Sequence, residues 1–169
     1  MAEIFLAGGC FWGAEHFFKL VDGVTDTCVG FANGLTENPS YRDVCDRHTG
    51  HAETVRVGYD PSRVTLEELL RLYFRIIDPT SLNRQGGDVG TQYRTGIYYA
   101  DSADLNVIRG VYDEVAAEYG APLAVEVLPL IHFYAAEEYH QDYLDKNPAG
   151  YCHLSPELFD LAREFHKKK

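Results

Sequence analysis

The sequence predicts an α+β fold, a two-layer sandwich with helices laid over one face of a sheet. Three observations carry that reading. Apolar runs and turn residues mark segments in the order β-α-β-β-α-β, followed by α-β and two further helices, and the first six match the split ferredoxin-like pattern. One segment, residues 66–77, has apolar residues at clear helical spacing. The chain has 169 residues, close to one domain at roughly 150 residues each, and is 46% hydrophobic and 24% charged, as a globular protein with a full core would be. One domain over residues 1–169 is therefore expected, without repeats or linkers.

Ile4-Phe5-Leu6-Ala7 makes residues 3–7 a buried strand, and Gly8-Gly9 turn the chain. Residues 11–20 read as a helix whose Phe11, Trp12, Ala14, Phe17 and Phe18 make it too apolar to lie exposed. After Asp22-Gly23, a second strand covers 24–31 and ends at Ala32-Asn33-Gly34. Residues 37–50 are polar and read as irregular. A third strand spans 52–60, and its alternation puts Glu53, Val55, Val57 and Tyr59 on one face.

Thr65-Leu66-Glu67-Glu68 is a capping box. It opens the helix that turns Leu66, Leu69, Leu70, Tyr73, Phe74 and Ile77 inward and stops at Asp78-Pro79. The long polar stretch 80–94 reads as a functional loop. Residues 95–100 read as a strand, and a helix capped by Asp101 or Ser102 and closed by Gly120 follows. Residues 123–128 read as a strand that Pro129 keeps from a central position. Residues 135–146 read as one helix. A turn at Gly150-Tyr151-Cys152-His153 precedes a last helix begun by Ser155-Pro156.

A net charge of −11 argues against a nucleic-acid binder, whose phosphate contacts need a basic face. Lys167-Lys168-Lys169 reads as a solvated tail. No membrane segment is present, and the first apolar run contains Glu3 and lacks a basic start, unlike a signal peptide. These features favour the cytoplasm, where the four cysteines read as thiols, ligands or catalysts rather than a disulfide framework.

Cys10 sits where a strand turns into a helix, so free backbone N–H groups and the helix dipole favour a thiolate there, and Phe11-Trp12 set an aromatic wall beside it. Cys28, mid-strand among apolar neighbours, reads as an inert core thiol. Cys45, His48 and His51 have a spacing reminiscent of zinc ligands, but no local fourth ligand exists and no metal is expected. Cys152 is either an idle surface thiol or the partner that attacks an oxidised Cys10. Glu53 shares the apolar parity of its strand, so it either turns out to water or is an acid kept protonated by burial. Tyr41 and Tyr93 lie in polar segments, and nothing local separates them from the other ten tyrosines. The residues alone reach a thiol enzyme with an acid helper. A thiol peroxidase and a zinc-stabilised adaptor are the competing readings.

Several motifs carry a family resemblance. Gly9-Cys10-Phe11-Trp12-Gly13, Tyr41-Arg42-Asp43-Val44-Cys45 and Thr49-Gly50-His51-Ala52-Glu53 come first, then the run from Arg84-Gln85-Gly86-Gly87-Asp88 to Gly90-Thr91-Gln92-Tyr93-Arg94. Tyr139-His140-Gln141-Asp142-Tyr143-Leu144 and Gly150-Tyr151-Cys152 complete the set. In this order they resemble the A-type peptide methionine sulfoxide reductases, over most of the chain.

That resemblance implies thiol-dependent reduction of methionine S-sulfoxide, free or in proteins, as repair after oxidative damage. Cys10 corresponds to the nucleophile that attacks the sulfoxide sulfur and becomes a sulfenic acid. Phe11 and Trp12 correspond to the pocket for the methyl group, and Glu53 to the acid that protonates the oxygen, helped by Tyr41 and Tyr93. Asp88 matches a position that helps arrange the site. Cys152 matches the recycling cysteine, which would form a disulfide with Cys10 for thioredoxin to reduce. No metal or organic cofactor is implied, and a monomer is expected. Family forms with a second recycling cysteine carry it in a Gly-rich tail; here no cysteine follows Cys152, so a two-cysteine relay is the reading, with Cys45 as a possible substitute partner.

Overall fold

A computed structural model of the chain describes residues 2–46 and 49–165. Strand β1 (Ala2–Ala7) leads into helix α1 (Phe11–Lys19), followed by β2 (Val24–Ala32), α2 (Tyr41–Asp46), β3 (Ala52–Tyr59) and α3 (Leu66–Ile76). A small hairpin of β4 (Arg84–Gln85) and β5 (Asp88–Val89) and a 3-10 turn at Thr91–Tyr93 precede β6 (Gly96–Tyr99) and α4 (Leu105–Tyr119). Then come β7 (Glu126–Pro129), β8 (Phe133–Ala135), a 3-10 turn at Glu138–His140, α5 (Tyr143–Lys146) and α6 (Pro156–Glu164). The fold is an α+β sandwich, as the sequence predicts.

The main sheet runs β7-β6-β1-β3-β2-β8. Its inner four strands, β6-β1-β3-β2, are antiparallel throughout, the arrangement that the split ferredoxin-like connection produces. β7 joins one edge parallel to β6, and β8 joins the other antiparallel to β2. Alternation divides β1 between two cores. Ile4 and Leu6 face the helices with Val55, Val57 and Tyr59, while Phe5 and Ala7 face the opposite side with Ala32, Ala52 and Tyr98 under Phe133. Glu53 continues the helix-facing column, paired across the ladder with Phe31.

α3 is begun by the predicted capping box, with Thr65 and Glu68 bonding each other's backbone N–H. Its Tyr73 is fully buried and donates its hydroxyl to the Ala7 carbonyl at 2.6 Å while accepting the Gly96 N–H at 3.1 Å. This clamp fixes the end of β1, from which the Gly8-Gly9 turn departs. A Cβ on Gly8 would lie 2.6 Å from Ile77 Cγ2, so α3 presses directly on that turn.

Four expectations need correction. Residues 37–50 are not wholly irregular, because Ser40 and Asp43 cap each other's backbone and start α2. The 80–94 stretch contains the β4–β5 hairpin rather than loop alone. The strand expected at 123–128 forms its ladder over Glu126–Pro129, and Pro129 is accommodated because β7 is an edge. Residues 135–146 are not one helix. The Gln141 amide bonds both the N–H and the carbonyl of Val29 at 2.9 Å, extending the β8 ladder, and Asp142 takes a left-handed φ of 55°. Those tertiary bonds outweigh local helix propensity there. His48 and the three terminal lysines lie outside the described residues. Among the described residues no helix is long and apolar enough to cross a membrane.

Candidate active site

Cys10 is the N-cap of α1, in extended conformation, and its side chain caps nothing. Gly9 before it has φ +76°, and a Cβ there would stand 2.9 Å from Gln85 Cβ and 3.0 Å from His153 Nε2, so the position requires glycine on two counts. Gln85 is itself pinned, its amide bonding both the N–H (2.8 Å) and the carbonyl (3.0 Å) of Asp78. The β4–β5 hairpin is thus tied to the end of α3 and lies against the cysteine turn.

The Cys10 side of the thiolate expectation is corrected. The Trp12 backbone N–H at the helix start does favour the thiolate. Burial is the larger effect: Cys10 is 5% exposed, and desolvation, followed by the Glu53 and Asp88 carboxylates, pushes its pKa well above that of an ordinary thiol. The resting group is a thiol.

Glu53 is 1% exposed and does not turn out to water. Its Oε1 accepts the Phe11 backbone N–H at 3.1 Å, and its Oε2 is buried without a partner among the described residues. Burial raises its pKa to about 8, with the Phe11 N–H opposing and Asp88 adding slightly. Near neutral pH this is a carboxylic acid, and one of its two oxygens is uncommitted.

Tyr41 opens α2 and Tyr93 closes the 3-10 turn before β6. Burial pushes both phenols up, and the next influence on each is the charge of Glu53. Tyr93 also feels Asp88 and Cys10, and a charge on Cys45 would raise both tyrosines. Cys45 lies one helical turn after Tyr41 on α2, and burial raises its thiol pKa. It therefore borders the site, a role its spacing did not suggest. His51, by contrast, is spent on structure: Nδ1 accepts the Gly34 N–H at 3.1 Å and Nε2 meets the Thr36 carbonyl at 2.8 Å. His48 lies outside the described residues, and among those described no group of three or more His, Cys, Asp or Glu side chains is placed to hold a metal ion.

The aromatic wall is larger than Phe11-Trp12. Phe11 is buried between Phe31, Tyr41 and His140, with ring centroids 5.6–6.1 Å away. Trp12 stacks on Tyr143 at 3.8 Å and 10°, and its indole N–H donates to His140 Nδ1 at 3.0 Å. Sequence reasoning gave His140 and Tyr143 no role. The local signal available was a His-x-x-Tyr pair, which reads equally well as a helix face.

Cys152 lies against α1. Its Sγ is 3.0 Å from where a Gly13 Cβ would stand, so the missing side chain at Gly13 admits the thiol. Cys152 also lines a cavity of about 360 Å³ with Leu144, Pro148 and Phe159. The preceding Tyr151 donates its hydroxyl to Asp88 Oδ2 at 3.1 Å. Cys10 and Cys152 are both free thiols, and a charge on Cys152 would raise the Cys10 pKa further. Cys28 is likewise free, and burial raises its pKa.

The structure therefore brings Cys10, Glu53, Tyr41 and Tyr93 into one group, walled by Phe11 and Trp12, with Asp88 and Cys152 at its border. A thiol, a neutral acid and two phenols beside apolar rings can act on a small group that pairs a basic oxygen with an apolar substituent.

Comparison with known proteins matches residues 2–169 to the family model "Peptide methionine sulfoxide reductase". A peptide methionine sulfoxide reductase MsrA of Lachnoclostridium phytofermentans is 59% identical over 160 residues, covering 95% of this chain and 96% of the relative. Among solved structures, Mxr1 from Saccharomyces cerevisiae in reduced form superposes with a TM-score of 0.86 at 43% identity, covering 91% of each chain. The same yeast protein in complex with Trx2 superposes with a TM-score of 0.60 at 30% identity, covering 84% of each chain.

Proposed function

The chain belongs to the A-type peptide methionine sulfoxide reductases, and on that footing we propose how its residues divide the reaction. Cys10 Sγ attacks the sulfoxide sulfur while Glu53 gives its proton to the sulfoxide oxygen, with Tyr41 and Tyr93 donating hydrogen bonds to the same oxygen. Phe11 and Trp12 hold the methyl group. The observation that carries this reading is Glu53: a buried neutral acid with one uncommitted oxygen, electrostatically coupled to the thiol.

The coupling also adds to the rise in thiol pKa that burial begins. A charge on Glu53 raises the cost of charge on Cys10, so the thiol keeps its proton beside an ionised carboxylate. As the carboxyl proton goes to the sulfoxide oxygen, the thiol proton can replace it on Glu53. The net first step moves oxygen from substrate sulfur to Cys10: the sulfoxide is reduced to the thioether by two electrons, and the thiol is oxidised to sulfenic acid. Cys152 then condenses with that sulfenic acid, giving a Cys10–Cys152 disulfide and water, and thioredoxin reduces it. The yeast relative solved with Trx2 supports thioredoxin as reductant.

We place this activity in one cytoplasmic domain spanning the chain, a monomer that repairs methionine S-sulfoxide, free or in oxidised proteins. Turnover of the separated S and R epimers with thioredoxin as reductant tests it. Reduction of the S epimer is expected, and turnover of the R epimer alone would refute the assignment.

A further inference from the structure

His153 directly follows Cys152, and the reaction as described does not use it. Its ring fills the notch beside Gly9: Nε2 is 3.0 Å and Cε1 3.2 Å from where a Gly9 Cβ would stand, and its own Cβ is 3.7 Å from the corresponding point on Gly86. Both ring nitrogens are buried, and neither has a hydrogen-bond partner among the described residues. The two fully buried histidines contrast with this half-buried one. His51 engages both nitrogens, and His140 engages Nδ1 with Trp12. A buried imidazole held only for packing is expected to satisfy at least one nitrogen.

The segment is laid along the catalytic turn. Tyr151 bonds Asp88, the Cys152 sulfur rests at Gly13, and the His153 ring rests at Gly9. Cys10 lies between those two glycines in the chain. The titratable groups around His153 are Asp88 on β5, Tyr151 and Cys152 on its own segment, and Cys10 on the turn. Burial keeps the imidazole neutral, and the Asp88 carboxylate pulls the other way, favouring an imidazolium when one forms.

Resting on the assignment of Cys10 as nucleophile and Cys152 as resolver, we propose that His153 relays the proton of the resolving step. It takes the Cys152 thiol proton at one ring nitrogen and delivers a proton from the other to the hydroxyl leaving the Cys10 sulfenic acid. The Cys152 S–H and Cys10 S–O bonds break, the S–S bond forms, and water departs. Cys152 sulfur is oxidised and Cys10 sulfur reduced, so no further redox partner is needed. The step has two difficulties, a buried thiol that holds its proton and a poor hydroxide leaving group. One imidazole with both nitrogens free addresses both.

The test mixes wild type, His153→Phe and His153→Ala with one equivalent of methionine sulfoxide in the absence of reductant. Released methionine reports the first step, and mass-resolved sulfenic acid and disulfide report the second. Methionine release near the wild-type amplitude is expected in both variants, with disulfide formation slowed at least about ten-fold. Added imidazole should restore it in His153→Ala, and the variants should lose the rise in resolving rate that accompanies histidine deprotonation in wild type. Disulfide formation at the wild-type rate and pH profile in both variants overturns the relay. Loss of methionine release in both variants also overturns it, because the role is confined to the second step. Absence of methionine release from wild type overturns the underlying reductase assignment instead.

Discussion

The Phe11 backbone N–H donates to Oε1 of Glu53 at 3.1 Å, while Oε2 of the same carboxyl is buried with no partner among the described residues. One bond fixes the side chain and leaves a single oxygen for chemistry. Because Phe11 is the first residue of α1 and Cys10 its N-cap, that bond also locks acid and thiol into one turn of backbone. The predictions follow from this arrangement.

Glu53→Gln keeps the acceptor for Phe11 and removes the proton. Turnover should fall by about 10²–10⁴, with sulfoxide binding largely retained. Steady-state kinetics and binding to the inactive variant check this, and an undiminished kcat would assign the proton to another group.

The same carboxyl makes stability depend on pH. Folded Glu53 keeps its proton to about pH 8, whereas the reference glutamate loses it near 4.5. Between those values the native state binds the extra proton, so wild-type stability should fall as pH rises and level off above about 8. Relative to wild type, Glu53→Gln should gain with pH by up to about 5 kcal/mol at ~1.4 kcal/mol per unit. Urea unfolding of both proteins at pH 5 and pH 8.5 measures the difference, and a constant gap contradicts the raised pKa. The kcat/KM of wild type should decline above about pH 8 for the same reason.

Gly13→Ala places a methyl group 3.0 Å from Cys152 Sγ. The thiol must move, so disulfide formation should slow several-fold while methionine release in a single turnover stays near wild type. Rapid quench with thiol trapping separates the two steps, and equal slowing of both would mean the damage lies in Cys10 placement.

His140→Phe removes the acceptor of the Trp12 indole and keeps a ring in the stack. Losing a bond worth about 1 kcal/mol should raise KM several-fold and leave kcat nearly unchanged. A fall in kcat with KM constant would instead give His140 a part in the chemical step.

How much could be read from the chain depends on whether the cause was local. The Ile4–Ala7 run, the alternation that aims Glu53 inward and the Thr65–Glu68 box are local patterns, and they reappear as β1, β3 and α3. The Ser40–Asp43 cap was also local but short, and polar residues around it hid α2. Residues 135–146 were misread because Gln141 bonds Val29, more than a hundred positions away. In the site, Cys10 and its aromatic neighbours announced themselves by adjacency. Roles for His140, Tyr143, Cys45 and His153 depend on which elements pack together, and no periodicity records that. The thiolate expectation erred for a related reason: a helix N-terminus is visible in sequence, but the burial that outweighs it is not.

The proposed reaction is a two-thiol relay served by Glu53. Its most direct test is mass spectrometry of the protein after one equivalent of methionine S-sulfoxide without reductant, with every cysteine assigned. One methionine released per chain and a Cys10–Cys152 disulfide are expected, with Cys28 and Cys45 still free. A disulfide joining Cys10 to Cys45, or an unoxidised Cys10, would contradict it.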